Sequence, residues 1–192
     1  MYFVDEIYEH TLEVKRSKFI TFLLPVEDLD KTLNTLKLKH PKARHFIVAY
    51  RCVNSYRQIE EYSTDDGEPK GTSGKPTLNV LRGNDLLETA IIIIRYFGGI
   101  KLGTGGLVRA YSSATKEVIA CATLLPYTFK EILLLEVTYS MSSRVDHLLE
   151  NFGIEFSKSF LTDTIEYTLH VTNAQKEKII SMEKKQLFKL KS

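Results

Sequence analysis

The tightest constraint on this chain is the succession of apolar strand, glycine cluster and helix between residues 88 and 121. Four consecutive isoleucines in the segment Glu88 to Phe97 (ETAIIIIRYF) are poor helix formers. They fit a strand lying centrally in a sheet covered on both faces. Five of the chain's ten glycines then fall in the nine residues from Gly98 to Gly106. Glycine tolerates positive φ and lets backbone approach a neighbour or a ligand, and its entropic cost makes such clustering purposeful. Beyond it, Leu107, Ala110, Tyr111, Ala114, Val118 and Cys121 fall on one helical face, and Pro126 ends the unit.

The remaining pattern points to an α+β chain of two domains, 1–127 and 128–192, since 192 residues exceed the usual size of one domain. Lys18 to Leu24 reads as a strand, Glu27 to Leu38 as a helix stopped by Pro41, and His45 to Val53 as a second strand. A polar loop is expected from about Asn54 to Pro76, long enough to be functional. Thr77 to Leu81 reads as a short strand or a first helical turn. After Pro126 a βαββα order appears. Its elements are a strand over Glu131 to Tyr139, a helix over Arg144 to Phe152 closed by Gly153, and strands over Ile154 to Phe160 and Ile165 to Val171. A lysine-rich helix then runs from Ala174 to about Lys185, and a short last strand lies in the tail. This is the element order of a ferredoxin-like domain.

Hydrophobic residues at 43% and charged residues at 26% support a packed core. A net charge of +2 is too small to argue for nucleic-acid binding without a local basic face. Cys52 and Cys121 lack the close pairing of a metal or redox motif and are expected as buried free thiols. The acidic N-terminus (MYFVDEIYEH) does not suit a signal peptide, and no apolar run is long enough to span a bilayer, so a cytoplasmic protein is expected.

Two loops carry candidate chemistry. In GGIKLGTGG, the backbone N–H groups of Gly98, Gly99, Gly103, Thr104, Gly105 and Gly106, together with a helix N-terminus, could hold a phosphate, with Lys101 and Arg109 adding charge. The spacing is not that of a P-loop, and a tight turn packing helix onto sheet is the alternative. In DDGEPKGTSGKP, Lys70 and Lys75 are further anion donors. There Asp65, Asp66 and Glu68 could offer oxygen ligands to a hard cation such as Mg²⁺, although Asp-Gly also starts an ordinary solvated turn. Arg44, His45 and Arg51 form a second tier that could meet single-stranded nucleic acid with nearby tyrosines. The C-terminal lysines Lys176, Lys178, Lys184, Lys185, Lys189 and Lys191 read as a solvated face. No nucleophile motif, no HExxH and no cofactor fingerprint is found.

The segments HPKARHFIVAYR (40–51), STDDGEPKGTSGKPTLNVLRGNDL (63–86) and above all RYFGGIKLGTGGLVRAYSSA (95–114) resemble the YigZ/IMPACT family. GTGGLVRAYSSA is also loosely similar to the glycine-rich loop of small-molecule kinases of the galactokinase type. The first resemblance implies an N-terminal domain of the ribosomal protein S-five, domain-two type and a C-terminal ferredoxin-like domain similar to domain V of elongation factor G. It implies RNA or the ribosome as partner, or a protein partner in translational control. Eukaryotic relatives act on such a partner through an added N-terminal domain, whereas here the family core starts near residue 1. It supplies no catalytic residues. The expected function is regulation of translation without a cofactor; the alternatives are a phosphate-binding enzyme working with Mg²⁺ and a protein-binding module.

Overall fold

The computed structural model describes residues 1–183 and 187–191. They form a mixed α/β chain of two compact units, Met1–Tyr127 and Thr128–Ser192. The first unit runs β1 (Tyr2–Phe3), β2 (Tyr8–Val14), β3 (Ser17–Pro25), α1 (Leu29–Lys39), β4 (His45–Val53), β5 (Ile59–Ser63), α2 (Gly74–Gly83), β6 (Thr89–Tyr96), α3 (Thr104–Cys121) and β7 (Leu125–Pro126). Its main sheet has the order β2-β3-β6-β4-β5 and is antiparallel throughout. β6 is the middle strand.

The isoleucine run shows why. Successive side chains of a strand point to opposite faces, and here both faces are covered. Ile91 and Ile93 pack with Phe19, Leu23, Ile47, Leu81, Leu107 and Tyr111 under α2 and α3. Ile92 and Ile94 pack with Ile20, Phe22, Leu24 and Val48 against Leu29 and Leu36 of α1. On α3, Leu107, Ala110, Tyr111, Ala114 and Val118 form the buried stripe.

Two expectations are corrected and one unexpected strand is added. The loop expected over 54–76 is interrupted, since β5 pairs with β4 from Ser63 to Ile59 and α2 begins at Gly74. β5 (IEEYS) is a half-exposed edge strand whose charged residues show no apolar alternation, and α2 opens with glycine and proline, which read as loop. Proline is nevertheless tolerated in a first helical turn, where an N–H has no helical partner. The added strand, β2, precedes the first expected strand; its alternating half-buried pattern covers only one side. Second, Cys121 is exposed and Cys52 half-buried, so neither is a core thiol. Cys121 is the last residue of α3.

The second unit runs β8 (Glu131–Thr138), α4 (Ser142–Asn151), β9 (Glu155–Phe160), β10 (Thr164–Val171), α5 (Asn173–Glu183) and β11 (Lys189–Lys191). Its antiparallel sheet has the order β11-β8-β10-β9. Leu135, Val137, Val145, Leu149, Ile165 and Leu169 make its core. Gly153, with φ +60°, turns the chain from α4 into β9. Lys184 and Lys185 lie outside the described residues.

Candidate functional site

The polar loop joining β5 to α2 folds around its own carboxylates. Asp65 accepts hydrogen bonds from the backbone N–H of Gly71 (2.6 Å), Ser73 (3.1 Å) and Gly74 (2.9 Å) and from the Ser73 hydroxyl (2.7 Å). Two of these donors belong to the opening of α2, whose first N–H groups have no helical partner. Burial alone would raise the Asp65 carboxyl, but these donors outweigh it and hold it below the ordinary aspartate range. Asp66 accepts from the Phe46 N–H at 2.6 Å. Its carbonyl oxygen lies 2.7 Å from His45 Nδ1, which must donate, since a carbonyl only accepts. Glu68 is buried and accepts from Arg95 Nη1 (2.6 Å) and the Tyr111 hydroxyl (2.7 Å). Burial and the adjacent Glu68 carboxylate push the Tyr111 phenol well above its usual range.

The three carboxylates offered to a cation therefore diverge, each toward its own donors. Among the described residues no three His, Cys, Asp or Glu side chains gather as a metal group. Two second-tier residues are likewise spent internally. His45 holds the loop, and buried Arg51 donates to Glu61 (2.9 Å) and to the Leu86 carbonyl (2.7 Å). Arg44 is exposed.

The glycine loop behaves differently. Gly98 is a packing requirement, since a Cβ there would lie 2.0 Å from the Arg16 carbonyl carbon. Its N–H donates to the Ser17 hydroxyl at 3.3 Å and is not offered outward. Gly99 and Gly103 take positive φ, +85° and +71°. From Gly103 the helix α3 begins with no side-chain cap and no acidic residue in its first turn. Thr104 and Gly105 are exposed there, as is Lys101 just before it, and Gly106 is half-buried. The Arg109 guanidinium lies over this turn, because a Cβ on Gly105 would sit 3.6 Å from its Nη1. A cation beside the positive end of a helix dipole is unfavourable on its own, so the spot is suited to an anion.

Two clefts flank α3. One, of ≈ 250 Å³, is lined by Lys15, Leu102, Gly106, Arg109 and Ser113 among others. The other, of ≈ 540 Å³, lies between α2 and α3 and takes in Lys75, Asn79, Ser112 and Lys116. Lys75 and Arg109 thus serve different clefts, and exposed Lys70 lines neither. Lys15 and Lys116 are the residues that sequence reasoning passes over. Nothing in sequence marks either, since Lys15-Arg16 is not a usual turn pair and the strand before it is not legible.

The Impact N-terminal domain model matches residues 15–119, which span both loops and all but the last two residues of α3. The chain belongs to the IMPACT family. It is similar to an IMPACT family member of Haemophilus influenzae, 33% identical over 88% of this chain and 81% of that protein. It is also similar to the IMPACT family member YvyE of Bacillus subtilis, 31% identical over 91% of this chain and 82% of the relative. A crystal structure described as that of a hypothetical protein superposes with a TM-score of 0.73 at 28% identity, covering 98% of this chain and 95% of the other. No helix among the described residues is long and apolar enough to cross a membrane.

Proposed function

We propose that this IMPACT-family protein is a cytoplasmic RNA-binding protein that acts on translation, with the open end of α3 as its phosphate-contacting surface. The observation that carries this reading is the contrast between two helix starts. The N-terminus of α2 is closed by the Asp65 carboxylate, whereas that of α3 has no acidic cap and has Arg109 over it and Lys15 beside it. Backbone donors, a helix dipole and cations then act together on one phosphate. The strand order β11-β8-β10-β9, with helices after the first and third strands of the unit, supports reading residues 128–192 as ferredoxin-like. Joined to a first unit of the ribosomal protein S-five, domain-two type, it would resemble the end of elongation factor G, which favours the ribosome as the place where such RNA is met. A Mg²⁺-dependent nucleotide enzyme draws no support from the carboxylates of the 65–68 loop, which face inward.

The test is the affinity of the Lys101→Ala/Arg109→Ala protein for a labelled single-stranded RNA, measured by anisotropy over a range of salt. Two lost phosphate contacts should weaken binding across sequences and reduce the slope of log K against log salt by about 1.4. Unchanged affinity and slope would remove the α3 surface from RNA binding.

A further inference from the structure

β2 and β3 are joined by the shortest usual connection. Val14 pairs with Ser17, so Lys15 and Arg16 are the entire turn. Both take left-handed backbone, at φ +46° and +66°. Two-residue turns of the type I′ kind demand this conformation at both central positions and ordinarily meet it with Asn-Gly or Asp-Gly, because a Cβ crowds the following carbonyl there and Lys or Arg has no short polar side chain to offset it. Here two long cations occupy it. Core packing does not explain them, since both are exposed, and neither has a carboxylate partner among the described residues.

The turn is nonetheless held in place. Gly98 lies directly beneath it with no room for a Cβ, and the Gly98 N–H donates to Ser17. Lys15 thereby lines the same cleft as Gly106, Arg109 and Ser113. Strain kept at a fixed, charged, solvent-facing position fits a binding role better than a folding one.

We propose that the Lys15–Arg16 turn is a phosphate-contacting element for single-stranded RNA, clamped on the glycine loop so that Lys15 shares with Arg109 the cleft beside the first turn of α3 and Arg16 adds a second exposed cation next to it. This inference rests on the RNA-binding reading above and extends the surface to a second element. The full-length chain carrying Lys15→Asn/Arg16→Gly relieves the strain and removes both charges. Its melting temperature should rise by a few degrees. Its affinity for a labelled oligouridylate of about 20 nucleotides should fall about fivefold or more, and the salt slope should drop by about 1.4. Lys15→Gln/Arg16→Gln keeps the strained turn and should show the same loss of affinity without the gain in melting temperature. A melting temperature that fails to rise in the Asn-Gly protein overturns the strain argument. A rise with affinity and slope unchanged, while Lys101→Ala/Arg109→Ala still weakens binding, overturns the proposal alone. If neither pair alters binding, the RNA reading itself falls and this inference with it.

Discussion

Single residues of this protein divide into those that close a loop and those that leave one open. Asp65 belongs to the first kind, with three N–H groups and a hydroxyl converging on one carboxylate. Its replacement by asparagine removes the charge and sets an NH2 donor against N–H or O–H donors on one side of the group, and should destabilise the fold by about 2–4 kcal/mol in urea titrations. Because the folded carboxyl is held low, its contribution is complete above the unfolded aspartate pKa of about 3.9 and is lost as pH falls through the folded value. The gap between parent and Asp65→Asn should therefore be widest above about pH 5 and narrow in acid. A gap that is constant from neutral pH down to strong acid would show that the charge is not what stabilises the loop. Glycines separate in the same manner. Gly98→Ala drives a methyl into the Arg16 backbone and should cost about 3 kcal/mol or more. Gly99→Ala meets open space and only the strain of φ +85°, about 1 kcal/mol. Equal denaturation midpoints for the two variants would contradict the close packing of the loop on the hairpin.

At the scale of elements, β6 and β4 are legible in sequence because burial on both faces demands unbroken apolar runs, and α3 because its apolar stripe keeps helical spacing. β2, β5 and α2 are harder to read for a shared reason. Each leans on partners its own pattern does not reveal: β2 on its pairing with β3, β5 through Glu61, which holds Arg51 and Arg82, and α2 through Asp65 in the loop that precedes it. The candidate site follows the same division. The glycine loop stands out by composition, whereas the inward turn of Asp66 and Glu68 depends on donors supplied by Phe46, Arg95 and Tyr111, and no local reading places those. The two-faced burial of β6 makes its own prediction. Ile92→Ala and Ile93→Ala, on opposite faces and each fully buried, should both cost about 2–5 kcal/mol. If only one of them is costly by chemical denaturation, one face of the sheet is less well packed than the structure indicates.

For the whole molecule, a net charge of +2 means that any affinity for RNA has to come from local placement of cations and not from a general excess. Such binding should be steeply salt-dependent and confined to the unit that carries α3. That unit also closes on itself. β1 pairs with β7, Tyr2 opposite Pro126, the Tyr127 N–H donates to the Met1 carbonyl at 2.9 Å, and the Phe3 and Tyr127 rings meet edge to face at 6.2 Å. The first residues are thus tied to the last ones before Thr128, and residues 1–127 are expected to fold cooperatively by themselves. A fragment ending at Tyr127 should unfold in a single transition, with a denaturant slope roughly two-thirds that of the full chain, since the slope follows the surface exposed. A fragment ending at Cys121 keeps the sheet and helices but loses the β1–β7 closure, and should be less stable. Equal stability of the two fragments would show that the closure contributes nothing. A fragment 1–127 without a cooperative transition would show that the first unit depends on residues 128–192 to fold.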